Sequence, residues 1–145
     1  MILVAEDDEG HAGLIRMNLV REGIMNEVLH FKDGQDVLDF LFQKRDGLQL
    51  QPGSRYVLLL DIRMPKLDGM EVLAQLKADP ELRKIPVIMI TTTDDPREVE
   101  RCHALGCNSY ITKPVDYENF VNTIRQLGLF LAALEVPIIN GEGIA

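Results

Sequence analysis

Tyr56-Val57-Leu58-Leu59-Leu60-Asp61 is an apolar run that stops on a carboxylate. A run without polar alternation describes a strand buried on both faces, as a parallel sheet requires. Working outward, Ile2-Leu3-Val4-Ala5 ends at Glu6, and Pro86 to Ile90 ends at Thr91. Val28 to Phe31 and Ser109 to Thr112 read as two further strands, less continuously apolar. Between the runs, apolar residues recur at helical spacing: Ala12, Ile15, Leu19; Val37, Leu38, Leu41; Val72, Leu73, Leu76; Val99, Cys102, Leu105; and Phe120, Ile124, Leu127. Five β–α repeats predict an α/β fold, an open, doubly wound five-stranded parallel sheet with right-handed crossovers and helices on both faces.

The punctuation agrees. Gly23 and Gly106 stand where a helix end wants a positive φ. Asp95-Pro96-Arg97-Glu98 reads as an N-cap, a proline at the first helical position and a capping-box acid. Asp116 is placed to cap the last helix. Two segments fall outside this regular scheme: the polar connection Gln43 to Arg55, and the stretch from Gly128 to Ala145.

Composition narrows the function. A chain of 145 residues makes one domain with a genuine core. Fifteen basic against 23 acidic residues give a net charge of -8, which argues against binding nucleic acid or an anionic membrane surface. Such a balance suits a metal or a basic partner, although solvated surface accounts for most acidic residues. Cys102 and Cys107 form neither a disulfide framework nor a zinc set and read as buried thiols of a reducing compartment. The acidic Glu6 to Glu9 so near the start speaks against a signal peptide, and Leu127 to Leu134 is too short to span a bilayer. A cytoplasmic location is expected.

Ligands of open α/β sheets bind at the carboxyl ends of the strands, near the topological switch point. There the sequence puts Glu6 and Asp7 after the first strand, Asp61 after the third, Thr91 after the fourth and Lys113 after the fifth. Clustered carboxylates raise one another's pKa unless a cation offsets them, and magnesium takes such oxygen ligands. One carboxylate is then free to attack a phosphoryl group, with a lysine neutralising the transferring oxygens and a threonine hydroxyl donating to them.

At this point the chain resembles the receiver domain of two-component response regulators. The resemblance rests on Glu6-Asp7, Asp61-Ile62-Arg63-Met64-Pro65 with Asp68-Gly69, Thr91, and Tyr110-Ile111-Thr112-Lys113-Pro114, in order over residues 1–127. It implies a flavodoxin-like strand order 2-1-3-4-5. It also implies Asp61 as phosphoacceptor from a histidine kinase, and magnesium held by Asp7, Asp61 and the backbone carbonyl of Arg63, with Glu6 acting through water. Thr91 and Lys113 would contact the phosphoryl group, Tyr110 would be the switch aromatic, and Lys113-Pro114 would be a cis peptide. The bland reading of Tyr110, a core aromatic with no switching role, stays open. His11, His30 and His103 show no metal spacing and read as structural or surface residues.

This sequence departs from the family at Thr92, where receivers usually carry a small residue, and the long cationic Arg63 is expected to cover or pair with the phosphoryl group. Rival readings fit less well. A flavin or nucleotide binder wants a glycine-rich phosphate loop where Glu6 to Glu9 would repel phosphate. A magnesium-dependent aspartyl phosphatase usually carries its nucleophile after the first strand. A multistep phosphorelay intermediate or a chemotaxis-type regulator remains an alternative within the fold.

With residues 128–145 as an extension and no output domain, signalling is expected through the fourth helix, fifth strand and fifth helix. The apolar Phe130, Leu131, Leu134, Val136, Ile138 and Ile139 suggest a homodimer contact, or a tail folded back on its own domain. Together with the Gln43–Arg55 insertion, this tail resembles the single-domain response regulators paired with phytochrome-type kinases, implying a bacteriophytochrome as partner. No catalytic turnover beyond its own phosphorylation and dephosphorylation is expected.

Overall fold

The computed structural model describes residues 1–21, 23, 27–42, 55–114 and 116–133. The strands are β1 (Ile2–Ala5), β2 (Val28–Phe31), β3 (Val57–Leu60), β4 (Val87–Thr91) and β5 (Ser109–Thr112). The helices are α1 (Glu9–Arg21), α2 (Gly34–Leu41), α3 (Gly69–Ala78), α4 (Pro96–Leu105) and α5 (Tyr117–Ala133), with a short 3₁₀ turn at Leu82–Lys84. All strand pairs are parallel and the sheet order is β2-β1-β3-β4-β5, as expected.

Alternation of side chains across the pleat sorts the core into two layers. Leu3, Ala5, Leu58, Leu60, Val87 and Met89 pack with residues of α2, α3 and α4. Ile2, Val4, Val57, Leu59, Ile88 and Ile90 face the other way and pack with Ile15, Leu19, Phe120, Ile124 and Leu127 of α1 and α5. β1, β3 and β4 are buried throughout, whereas β2 and β5 are half-buried. The two less apolar runs are thus the edge strands, covered on fewer sides.

Side chains start the helices. Asp33, Asp68 and Asp95 accept backbone N–H groups at the starts of α2, α3 and α4, which offsets donors a helix cannot satisfy itself. Asp116 does the same for α5, receiving the Glu118 N–H at 3.0 Å. Gly106 ends α4 with φ 104°, and Gly23 has φ 78°. The capping box at Asp95 is not made: Glu98 turns away to an arginine, and the Asp95 N–H instead donates to Thr93 Oγ1 at 3.4 Å. The 3₁₀ turn, unforeseen in the sequence, is held by Asp79, whose Oδ1 accepts the Glu81 and Leu82 N–H groups at 2.9 and 3.0 Å.

Both cysteines are free and buried. Burial pushes the Cys102 thiol up to about 11. The expected connection Gln43–Arg55 lies outside the described residues except for Arg55, as does the tail from Leu134 onward. Within α5, Leu129 and Phe130 are exposed at 61% and 47%. No helix among the described residues is long and apolar enough to cross a membrane.

Candidate functional site

Glu6 and Asp7 follow β1, Asp61 follows β3, Thr91 closes β4 and Lys113 follows β5, so four parallel strands bring these residues to one edge of the sheet. The edge lies where chain order reverses between β1 and β3, the position at which open α/β sheets bind ligands. Thr91 is the last residue of β4 rather than the first of the loop, because it pairs with Thr112 and its carbonyl accepts the Lys113 N–H at 2.6 Å.

Asp61 is 7% exposed, Glu6 2% and Lys113 5%. The Lys113 ammonium donates to Asp61 Oδ2 at 2.9 Å and to Glu6 Oε1. Burial pushes the Glu6 carboxyl up to about 8, helped by its hydrogen bond to Asp61 and opposed by Lys113. For Asp61, burial also favours the neutral acid. The hydrogen bond with Glu6 and the Lys113 charge outweigh it and hold the Asp61 carboxyl below its ordinary value. The two carboxyls therefore titrate as a coupled pair around one cation, Glu6 held above its ordinary value and Asp61 below.

Two buried polar atoms here lack a hydrogen bond of good geometry, with only the Asp61 carboxyl as a polar neighbour to lean on: Glu6 Oε2 and the hydroxyl of the fully buried Thr91. An unsatisfied buried polar atom costs about 1–3 kcal/mol, so a pair at one strand edge marks where a ligand supplies the missing contacts. Glu6, Asp7 and Asp61 each offer an oxygen within 4.8 Å of the others, with Asp7 exposed to solvent. An all-oxygen, acidic set with an orphaned buried oxygen fits a hard divalent cation.

The loop after β3 is fixed to its backbone by close approach. A Cβ on Gly69 would lie 2.1 Å from the Asp61 carbonyl oxygen, and the Gly69 N–H donates to Ile62 O at 2.8 Å. The Arg63 N–H reaches back to Asp61 Oδ1 at 3.4 Å. Its guanidinium, in contrast, is 69% exposed and donates to Glu98 Oε1 of α4 at 3.1 Å. Tyr110 on β5 is half-buried and its hydroxyl donates to Thr93 O at 2.7 Å. Burial pushes that phenol up to about 12. Thr92 is exposed beside Thr91. The cis peptide implied by the resemblance is absent: Lys113-Pro114 is trans, as no described peptide bond is cis. Trans is the intrinsically favoured form of X–Pro bonds.

Two of the three histidines, His30 and His11, lie at this edge. His30 of β2 donates from Nε2 to the Glu6 carbonyl at 2.6 Å. His11, in the first turn of α1, has Nδ1 3.1 Å from Glu6 Oε1 and 3.2 Å from Lys113 Nζ. His103 stays apart, with Nδ1 3.7 Å from Cys107 Sγ. Metal-ligand spacing carries no trace of this arrangement. The useful signal is that a residue in the first turn after a strand-end carboxylate lies over that carboxylate.

Residues 2–125 match the model of the response regulator receiver domain. A receiver domain from Rhodospirillum rubrum has a solved structure that superposes with a TM-score of 0.89 at 46% identity, covering 96% of this chain and 98% of that one. The phosphorylated cyanobacterial phytochrome response regulator RcpA superposes with a TM-score of 0.85 at 30% identity over 94% and 96%. Response regulator Rcp1 of Synechocystis is 31% identical over 90% of this chain and 87% of its own. Its manganese-bound structure superposes with a TM-score of 0.84 at 29% identity over 94% and 97%. Bacteriophytochrome response regulators are among the other similar structures, at 39% and 36% identity.

Proposed function

Because the chain belongs to the response regulator receiver family, we propose that its Asp61 accepts a phosphoryl group from the phosphohistidine of a histidine kinase. The observation that carries this reading is the buried Asp61 carboxylate, kept ionised beside Lys113 Nζ at 2.9 Å. In the transfer, an Asp61 oxygen bonds to phosphorus while the phosphorus–nitrogen bond breaks, its electron pair leaving on the imidazole. The product is an acyl phosphate. Lys113 neutralises charge on the phosphoryl oxygens and the Thr91 hydroxyl donates to one of them. Glu6, Asp7, Asp61 and the Arg63 carbonyl would hold a magnesium ion, which when bound supplies positive charge beside the same oxygens. Glu6 acts there through water. Arg63 lies within a loop's reach of the acyl phosphate and would cover it after leaving Glu98.

Residues 1–127 form the receiver and 128–145 an extension. Signal leaves through α4, β5 and α5, with Tyr110 as the switch aromatic, tied to the β4–α4 loop through Thr93. The exposed Leu129 and Phe130 suit a homodimer contact on α5. Likeness to phytochrome response regulators supports a bacteriophytochrome as the kinase, in the cytoplasm. The chain catalyses only its own phosphorylation and dephosphorylation, and its acidic balance leaves nucleic acid and membrane surfaces out of its partners.

The test is labelling by acetyl phosphate with magnesium, followed on a phosphate-affinity gel. Wild type is expected to shift and Asp61→Asn to stay unmodified. Equal labelling of both proteins would overturn the assignment.

A further inference from the structure

We infer that His11 is a positioning residue for Lys113, supplying the third acceptor that fixes its ammonium over the site; this deepens, and rests on, the phosphoacceptor reading of Asp61. An ammonium has three N–H donors and no acceptor. Around Lys113 Nζ stand three acceptor atoms: Glu6 Oε1, Asp61 Oδ2 at 2.9 Å and His11 Nδ1 at 3.2 Å. The lysine is 5% exposed, so water offers no ready substitute for any of them.

This donor count assigns the His11 tautomer. A proton on Nδ1 would set a second donor against the ammonium 3.2 Å away, which has no lone pair with which to accept it. The Nδ1 lone pair therefore accepts from Lys113, and the ring proton sits on Nε2. The residue is held at both ends. Asp8 Oδ1 accepts the His11 backbone N–H at 3.0 Å, anchoring the first turn of α1, and the imidazole packs tilted against Phe120 of α5 at 5.5 Å.

Positioning matters because a lysine stem is flexible and its head is a point charge with no built-in direction. When one oxygen of Asp61 bonds to phosphorus, the contact between Asp61 and Lys113 is redrawn. Glu6 and His11 are then the two unchanged acceptors, and by occupying two N–H groups they leave the third aimed at the phosphoryl oxygens. His11 thereby also links the site mechanically to α5 through Phe120.

The test compares wild type with His11→Phe, which keeps an aromatic against Phe120 but removes the acceptor, and with His11→Asn, whose carbonyl oxygen replaces Nδ1. Two quantities are read: the rate of labelling by acetyl phosphate, and the Lys113 ammonium signal in proton–nitrogen correlation spectra of the unphosphorylated protein. His11→Phe should slow labelling by about tenfold, at the low end of what losing an orienting partner costs. It should also broaden or shift the ammonium signal, and His11→Asn should restore most of both. Labelling and ammonium signal unchanged in His11→Phe would overturn the inference. So would equal slowing in both variants, since a merely structural histidine gains nothing from the asparagine oxygen. Should His11→Phe not fold, His11→Gln replaces it, because the longer amide places its oxygen away from the Nδ1 position. If wild type itself is not labelled, the phosphoacceptor reading fails, and the ammonium signal alone still decides whether His11 fixes Lys113.

Discussion

Replacing Lys113 by methionine keeps the length of the side chain and removes its charge. The ammonium lies 2.9 Å from Asp61 Oδ2 and also binds Glu6, with both carboxyls more than nine-tenths buried. Two unit charges about 4 Å apart at an effective dielectric constant of about 20 interact by roughly 4 kcal/mol. Removing one partner of a buried pair likewise costs about 3–5 kcal/mol. Glu6 does not add a second such loss, because its carboxyl is pushed up to about 8 and is already largely protonated at pH 7. The burden falls on Asp61. With Lys113 present its folded pKa is lowered, so it stabilises the protein above its unfolded pKa and that contribution fades as pH falls. In Lys113→Met, burial of Asp61 is no longer opposed by the ammonium, its folded pKa rises, and the variant loses stability as pH increases. Urea unfolding followed by circular dichroism should therefore show a deficit of about 3–5 kcal/mol at pH 7 that shrinks to about 1 kcal/mol at pH 5. Adding Asp61→Asn to Lys113→Met should recover most of the loss at pH 7. A deficit of the same size at both pH values, or one not relieved by Asp61→Asn, would refute the electrostatic reasoning.

Gly69→Ala should cost more than about 3 kcal/mol, since its Cβ would meet backbone atoms of Asp61 and Ile62 that have no room to give; Gly13→Ala, with nothing within 4 Å of its Cβ, should instead stabilise α1 by roughly 0.5–1 kcal/mol in thermal or urea unfolding. Binding of magnesium at pH 7 should release protons, because a cation beside the raised Glu6 carboxyl favours its ionised form. Calorimetric titrations in buffers of different ionisation enthalpy read this directly, and heats that do not depend on the buffer would contradict it. Arg63→Ala should leave stability within about 1 kcal/mol, as expected for an exposed ion pair, while shortening the acyl-phosphate lifetime by uncovering it to water. An unchanged lifetime would remove Arg63 from the site.

The layering of the fold was legible because it follows from burial, which leaves a direct mark on residue type. β1, β3 and β4 are continuously apolar because helices cover both their faces. His30 in β2 and Tyr110 in β5 break that pattern because both strands lie at the sheet's edges, where a polar group reaches a partner or solvent. The 3₁₀ turn was not legible. Three residues carry no periodicity, and what holds them is one carboxylate, Asp79, accepting two N–H groups.

The site divides along the same line. Glu6, Asp7, Asp61, Thr91 and Lys113 could be read because strand ends are local features and the parallel topology brings them together without further information. The roles of His11, His30 and Glu98 depend instead on neighbours far along the chain. Glu98 illustrates the competition: local rules send its carboxylate back to the N–H of Asp95, one turn away. The fold offers it the Arg63 guanidinium from the loop after β3, 35 residues earlier, and a 3.1 Å hydrogen bond between two opposite charges displaces one to an uncharged N–H. The same reasoning applies to His11. Its neighbours in sequence are acidic, so a local reading leaves the imidazole as a partner for Asp8, whose Oδ2 is 3.8 Å from Nδ1. The buried ammonium of Lys113, brought by a strand 102 residues on, stands closer at 3.2 Å and can only donate. A buried cation has fewer alternatives than an exposed carboxylate, and so it decides which atom of the histidine faces the site.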